Sequence, residues 1–400
     1  MSSLIAKTPA VIDAIIDAVY EQGSVADLRS FSLTCSQFLP KCRKHLFACV
    51  SLTRPFGAED VPSPATHLSV ILDANPGLGH LIRELRFAIQ LLDLHDVALP
   101  KLLLRLHQVQ TLRLSTACGS WFDHTAKLRV GLTHLIQSPS LELLEISSFR
   151  NLPIPLFIPC TNLRHLDIFR LTFKDESGVS EMPLDIPKRY PPTRLRSLRY
   201  SDHCTAGVSV LLRARRSETK LPIIDFSGVR CLGVRMQSEE EICIARALIQ
   251  ATPHLQSLES FVATPGSLDG LATMFHKTSF TTLTRLTFDL VSEYWYQDPL
   301  FGLCNELEIL AEDNVLEELR INVFSPRAVI RTGEDWVLDI VLSSPGAFKA
   351  LRKVRVGIRV MLFNRLSVER FQELKSIPTE QFPSLSTNPL IDFQFWVGID

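Results

Sequence analysis

A six-residue pattern, L-x-x-L-x-L with other apolar residues allowed at its ends, recurs ten times between Ile82 and Val356. IRELRF opens at Ile82, VQTLRL at Val109, LELLEI at Leu141, LRHLDI at Leu163 and LRSLRY at Leu195. VRCLGV opens at Val229, a weaker LQSLES at Leu255, LTRLTF at Leu283, LEELRI at Leu316 and LRKVRV at Leu351. The mean period is about 30 residues, with single intervals of about 22 to 35. In each copy the last two apolar residues alternate with a period of two, as a short strand requires, and the first sits one turn earlier. A unit of this size cannot bury its apolar face alone. Stacking neighbours supply the missing surface, which restricts the chain to an array with a continuous core.

Between the copies lie stretches with helical spacing: Thr125 to Gln137, Glu239 to Gln250, Leu268 to Lys277, Leu300 to Ala311 and Asp335 to Leu342. Ser238, with Glu241 three residues on, forms a capping-box signature. Pro139, Pro253 and Pro345 each follow one of these stretches, where a helix should stop. Strand, turn, helix, turn at this period resembles the leucine-rich repeat. The expected fold class is therefore α/β, an irregular leucine-rich-repeat solenoid of about ten strand–helix units. None of the copies carries the asparagine of a regular ladder. A doubly wound sheet would need fewer, longer strands and a glycine-rich crossover, and neither is present.

The N-terminal stretch from Pro9 to Leu52 follows a different rhythm. Val11, Ile12, Ile15, Ile16 and Val19 make one apolar stripe of a helix that Pro9 suits in its first turn and Gly23 should stop. Two further short helices are expected, from Asp27 to Cys35 and from Phe38 to Phe47. Three helices in about 45 residues bury too little surface to be very stable alone. The order of a Pro-led apolar helix, then FSLTCSQFLP, then RKHLF resembles the F-box, in particular its fungal form. The matching residues are Pro9, Val11, Ile12, Asp13, Ile15, Ile16, Ser32, Leu33, Cys35, Phe38, Leu39, Pro40, Arg43, His45, Leu46 and Phe47. Lys7 and Ala10 stand where the family prefers Leu and Glu, and Phe38 where many members carry Trp. A helical segment over residues 1–52 and a repeat domain over 53–400 follow. Residues 172–192 read as a protruding charged, Pro-rich loop, and 390–400 as a closing strand.

Composition narrows the function. Forty-two basic against 43 acidic residues leave a net charge of −1, which argues against a general attraction to nucleic acid or anionic membrane. Arg213 to Lys220, the one short basic run, reads as a solvated loop because no aromatics interleave with it. Nine cysteines, odd in number and without a C-x-x-C, fit reduced and mostly buried thiols. No apolar leader and no span of membrane length is visible, so cytoplasmic or nuclear residence is the expectation. The eleven histidines are dispersed, and no metal spacing, P-loop or nucleophile elbow appears. Trp121-Phe122-Asp123-His124 reads as an aromatic turn ahead of a helix. No cofactor and no enzymatic activity are expected.

What remains is a surface. Residues flanking the last apolar position of each copy should point away from the core: Arg86, Arg113, Glu145, Asp167, Arg199, Gly233, Glu259, Thr287, Arg320 and Arg355, with Phe169, Arg235 and Phe261 two positions on. Arginines and exposed aromatics are enriched at interfaces, so Phe169, Arg199, Arg235 and Phe261 are candidate partner contacts. Ordinary charge pairing on a wet sheet is an equal reading of any one of them. The F-box resemblance implies an adaptor of a cullin–RING ubiquitin ligase. Pro9, Val11, Ile12, Ile15, Ile16, Leu33, Cys35 and Phe38 would meet a Skp-family linker and through it a cullin, although some must instead hold the helices together. The repeats would hold an unidentified substrate protein. The alternative is a repeat scaffold with a decayed F-box and no ligase role.

Overall fold

The computed structural model describes residues 9–54, 63–174, 190–201, 203–262, 268–291, 300, 302–311, 314–325, 337–360 and 368–399. The chain divides into two compact units, Met1–Thr193 and Arg194–Asp400.

The first unit opens with α1 (Pro9–Glu21), α2 (Val25–Thr34) and α3 (Leu39–Leu46). Gly23, with φ of 76°, takes the left-handed conformation that ends α1. The Ser24 hydroxyl accepts from the Asp27 N–H to cap α2. There follow β1 (Cys49–Ser51), α4 (Pro64–Ala74), β2 (Glu84–Ile89), α5 (Ala98–Leu103), β3 (Thr111–Thr116), α6 (Ala126–Ile136), β4 (Leu143–Ser147) and β5 (His165–Phe169). The five strands pair in chain order and in parallel. Leu85, Leu112, Leu144 and Leu166 share one register row and Phe87, Leu114, Ile146 and Ile168 another; all eight are buried. Trp121 is buried against Phe149 and His124, in a short turn ahead of α6.

The second unit runs through β6 (Ser197–Ser201), α7 (Thr205–Arg213), β7 (Cys231–Met236), α8 (Glu239–Gln250), β8 (Ser257–Val262), α9 (Leu271–Met274), β9 (Arg285–Val291), α10 (Leu303–Leu310), β10 (Glu318–Ser325), α11 (Leu338–Ser343), β11 (Lys353–Val360), α12 (Val368–Gln381), α13 (Pro383–Thr387) and β12 (Asp392–Ile399). These seven strands also pair in chain order and in parallel. Parallel neighbours need a crossover, and the intervening helices provide it. Each of the ten motif copies becomes a strand that starts at its third position. Ser260 breaks the apolar row of Val234, Phe288, Ile321 and Val356. It is fully buried, and its hydroxyl has no hydrogen-bond partner among the described residues.

Buried carboxylates tie neighbouring helices together. Glu306 on α10 accepts from the backbone N–H of Gly270 and of Ala272, both at 2.7 Å, and so caps the four-residue α9. Asp339 on α11 accepts from the N–H of Ser384 (3.0 Å) and Leu385 (2.8 Å) and caps α13 in the same way. Helices this short do not persist without such partners.

Several expectations need correction. The stretch from Leu268 to Lys277 holds only the short α9, followed by a 3₁₀ turn at Lys277–Thr281. The basic run from Arg213 is not a solvated loop throughout, since Arg216 is buried and Arg215 bridges Pro222. Of the nine thiols only Cys42, Cys160 and Cys204 are buried, while Cys49, Cys231 and Cys243 are exposed. Most of the 172–192 segment lies outside the described residues. No helix among the described residues is long and apolar enough to cross a membrane.

Candidate functional site

In the helical segment, the apolar stripe read from the sequence splits into two. Ile12 and Ile16, four residues apart on α1, turn inward and form a small core with Leu28 and Cys42. Val11 and Ile15, also four apart, face water on the adjoining stripe at 53% and 48% exposure. Leu33, near the end of α2, is 86% exposed. Cys35 is half-buried, and Phe38 packs against the core while meeting Phe31 edge-on at 5.9 Å. Pro9 is the first residue of α1.

Polar contacts lock α3 across α1. Asp17 accepts from Lys41 Nζ at 3.0 Å and lies 2.6 Å from His45 Nε2, while the His45 ring stacks on Tyr20 at 4.3 Å. The bonds from Lys41, then from His45, hold the Asp17 carboxyl below the usual carboxylate range. The inward set therefore maintains the three helices, and the outward set is apolar surface left to water. The sequence stripe could not separate them because five apolar positions span more than one helix face.

On the strand face of the second unit, the structure joins Arg235 and Phe261. They are register partners on β7 and β8, and the guanidinium lies 4.7 Å from the ring centroid. Arg199 on β6 reaches Glu259 on β8, two strands away, at 3.4 Å. Gly233 stands between them, and a Cβ there would come within 2.9 Å of the Arg199 side chain. Trp396 on β12 makes a similar crossing, because its ring lies where a Cβ on Gly357 would be, as close as 2.2 Å. Arg359 sits over the rings of both Trp396 and Phe324, at 5.3 and 5.7 Å. Phe169 belongs to the first unit, half-buried at the end of β5.

The sequence reading did not single out Trp396, Arg359 or the pair Arg320 and Arg355. The missing signal was register, since only paired strands show which residues lie side by side. An open cavity of about 520 Å³ in the second unit is lined by Lys277, Phe280, Asn314 and Lys349 among others. Its described lining holds no carboxylate, imidazole or thiol. No group of His, Cys, Asp and Glu suited to a metal ion occurs among the described residues. The sequence matches no protein-family model and no curated protein.

Proposed function

We propose that the chain is a substrate-receptor adaptor of a cullin–RING ubiquitin ligase. In this reading α1 to α3 form an F-box-like unit that docks on a Skp-family linker. The strand–helix units form an irregular leucine-rich-repeat solenoid whose strand face holds the target protein. Catalysis resides in the partners, and the adaptor acts by raising the effective concentration of substrate lysines near the ubiquitin donor.

The observation that carries the reading is the division of the F-box-like residues into two sets. Ile12 and Ile16 are spent on the internal core, whereas Val11, Ile15 and Leu33 remain in water. Large apolar side chains gain about 1.5–3 kcal/mol each when fully buried, so a docking surface is a physical use for the second set. Of the eight residues that the resemblance assigns to the linker, the exposed Val11 and Ile15 on α1 and Leu33 on α2 are thus the contacts proposed here.

The test is co-expression with a Skp-family linker and size-exclusion chromatography, for the parent chain and for a Val11→Asp, Ile15→Asp double variant. The parent co-elutes with the linker at equal stoichiometry, and the variant elutes alone with an unchanged circular dichroism spectrum. Separate elution of a folded parent would refute the ligase role and leave a free-standing repeat scaffold.

A further inference from the structure

We infer that Arg320 and Arg355, register partners on β10 and β11 of the second unit, bind carboxylates of an acidic peptide segment of a partner protein. The inference rests on the reading that this strand face holds a protein.

Like charges directly opposite on neighbouring strands destabilise a sheet unless something neutralises them. The first unit contains the same juxtaposition, Arg86 beside Arg113 on β2 and β3, and resolves it internally. Glu84 meets Arg86 Nε at 2.8 Å and Arg113 Nε at 3.2 Å, and Glu145 meets Arg113 Nη1 at 3.1 Å. Each guanidinium there has a carboxylate at ion-pair distance.

The second unit does not do this. Arg320 Nε donates to the neutral Asn322 Oδ1 at 3.2 Å, and no carboxylate meets Arg320 among the described residues. The Asn322 amide in turn donates to Asp289 at 2.6 Å, which engages the nearest acid of the next row. Arg355 reaches Glu318 only at 3.6 Å, and that same carboxylate already holds Arg285 at 3.1 Å. On the outward positions of β9 to β11, five cations (Arg285, Arg320, Lys353, Arg355 and, two rows on, Arg359) thus face two acids (Glu318, Asp289). The positive excess is focused on the side-by-side guanidiniums.

The chemistry of the ligand follows from the geometry. Planar guanidinium forks bind carboxylates in a bidentate manner, and charge-assisted bonds of this kind are about twice as strong as neutral ones. Asn322 and Gln394, whose amide oxygens accept from Arg320 and Arg355, hold both side chains in place before a ligand arrives. Continuous phosphate backbones need an unbroken run of cations. Here Glu259, Asp289 and Glu318 interrupt the face, so discrete carboxylates spaced along a peptide fit it and a nucleic acid does not.

The experiment uses the full chain and two fluorescein-labelled probes, a peptide of alternating glutamate and glycine and its glutamine counterpart, read by fluorescence anisotropy. The glutamate peptide binds and the glutamine peptide does not. Arg320→Gln with Arg355→Gln weakens binding by at least about tenfold, while Arg86→Gln with Arg113→Gln leaves it unchanged. Glu318→Gln, which removes the acid competing for Arg355, tightens binding, so the inference is tested by a gain as well as a loss. Equal binding of the glutamate peptide by the parent and the Arg320/Arg355 variant overturns it. So does an absence of binding, or stronger displacement of the peptide by a single-stranded oligonucleotide than by unlabelled peptide. Linker co-elution is scored separately on the same proteins. Its loss refutes the adaptor reading, whereas loss of the peptide effect alone refutes only this inference.

Discussion

Replacing Glu306 with alanine tests how the short helices of the second unit are held. Glu306 is buried on α10, and its two carboxylate oxygens each accept one backbone N–H from the start of α9. Without it the Ala272 N–H, buried in the fold, loses its acceptor, at a cost of about 1–3 kcal/mol. The Gly270 N–H is nearer the surface and water can replace part of its bond, which adds about 0.5–1 kcal/mol. The sum is about 1.5–4 kcal/mol, or about 3–16 °C for a unit of this size. Glu308→Ala provides the control, because Glu308 lies two residues away on the same helix but is exposed. Surface changes of that kind stay within about 0.5 kcal/mol. The assay is urea denaturation followed by circular dichroism, combined with hydrogen exchange of the peptide spanning 268–275. Glu306→Ala shifts the midpoint and deprotects that peptide, and Glu308→Ala does neither. Equal midpoints for the two variants would refute the claim that the carboxylate caps α9.

Three further outcomes are expected. Ile16→Ala, at a side chain only 1% exposed, costs the helical segment about 2–5 kcal/mol and is read as lost helical ellipticity, whereas Ile15→Ala leaves it folded. Ser260→Ala removes a buried hydroxyl that lacks a partner among the described residues and raises the urea midpoint, by about 1 kcal/mol of stability. The third concerns pH: burial holds the pKa of the His124 imidazole below its ordinary value, with the ring between Ser120 O at 2.9 Å and Thr116 Oγ1 at 3.2 Å. The unfolded chain then binds the proton first, so stability of the first unit falls as pH drops below about 6.5. Thermal melts of His124→Gln show a shallower decline, with a residue left by His134, which burial and His107 shift in the same direction.

Much of the architecture was readable in the chain. The ten motif copies placed ten strands, because an apolar period of two with a leading leucine has few other uses at an interval of about 30 residues. Ser238 marked a helix start through the hydroxyl that accepts from the Glu241 N–H, and the helical spacing that opens at Thr125 begins where the Thr125 hydroxyl accepts from the Leu128 N–H. The three N-terminal helices were visible in the same way, from a proline, a glycine and a local apolar spacing. All of these are signals that residues send to near neighbours along the chain.

What the sequence could not supply was anything that depends on residues about 30 positions apart meeting. Glu306 was one more acid on a helix until the fold brought it to the start of α9, 36 residues earlier. Arg320 and Arg355 were two of ten outward positions until strand pairing set them side by side and left Glu318 between Arg285 and Arg355. Val11 and Ile12 read alike as apolar neighbours, and only the packing of α2 and α3 decided which one faces water. Local periodicity selects the elements, because it reflects how a backbone presents successive side chains. The partners of each side chain are chosen when elements pack, and that choice is set by register and volume across the fold.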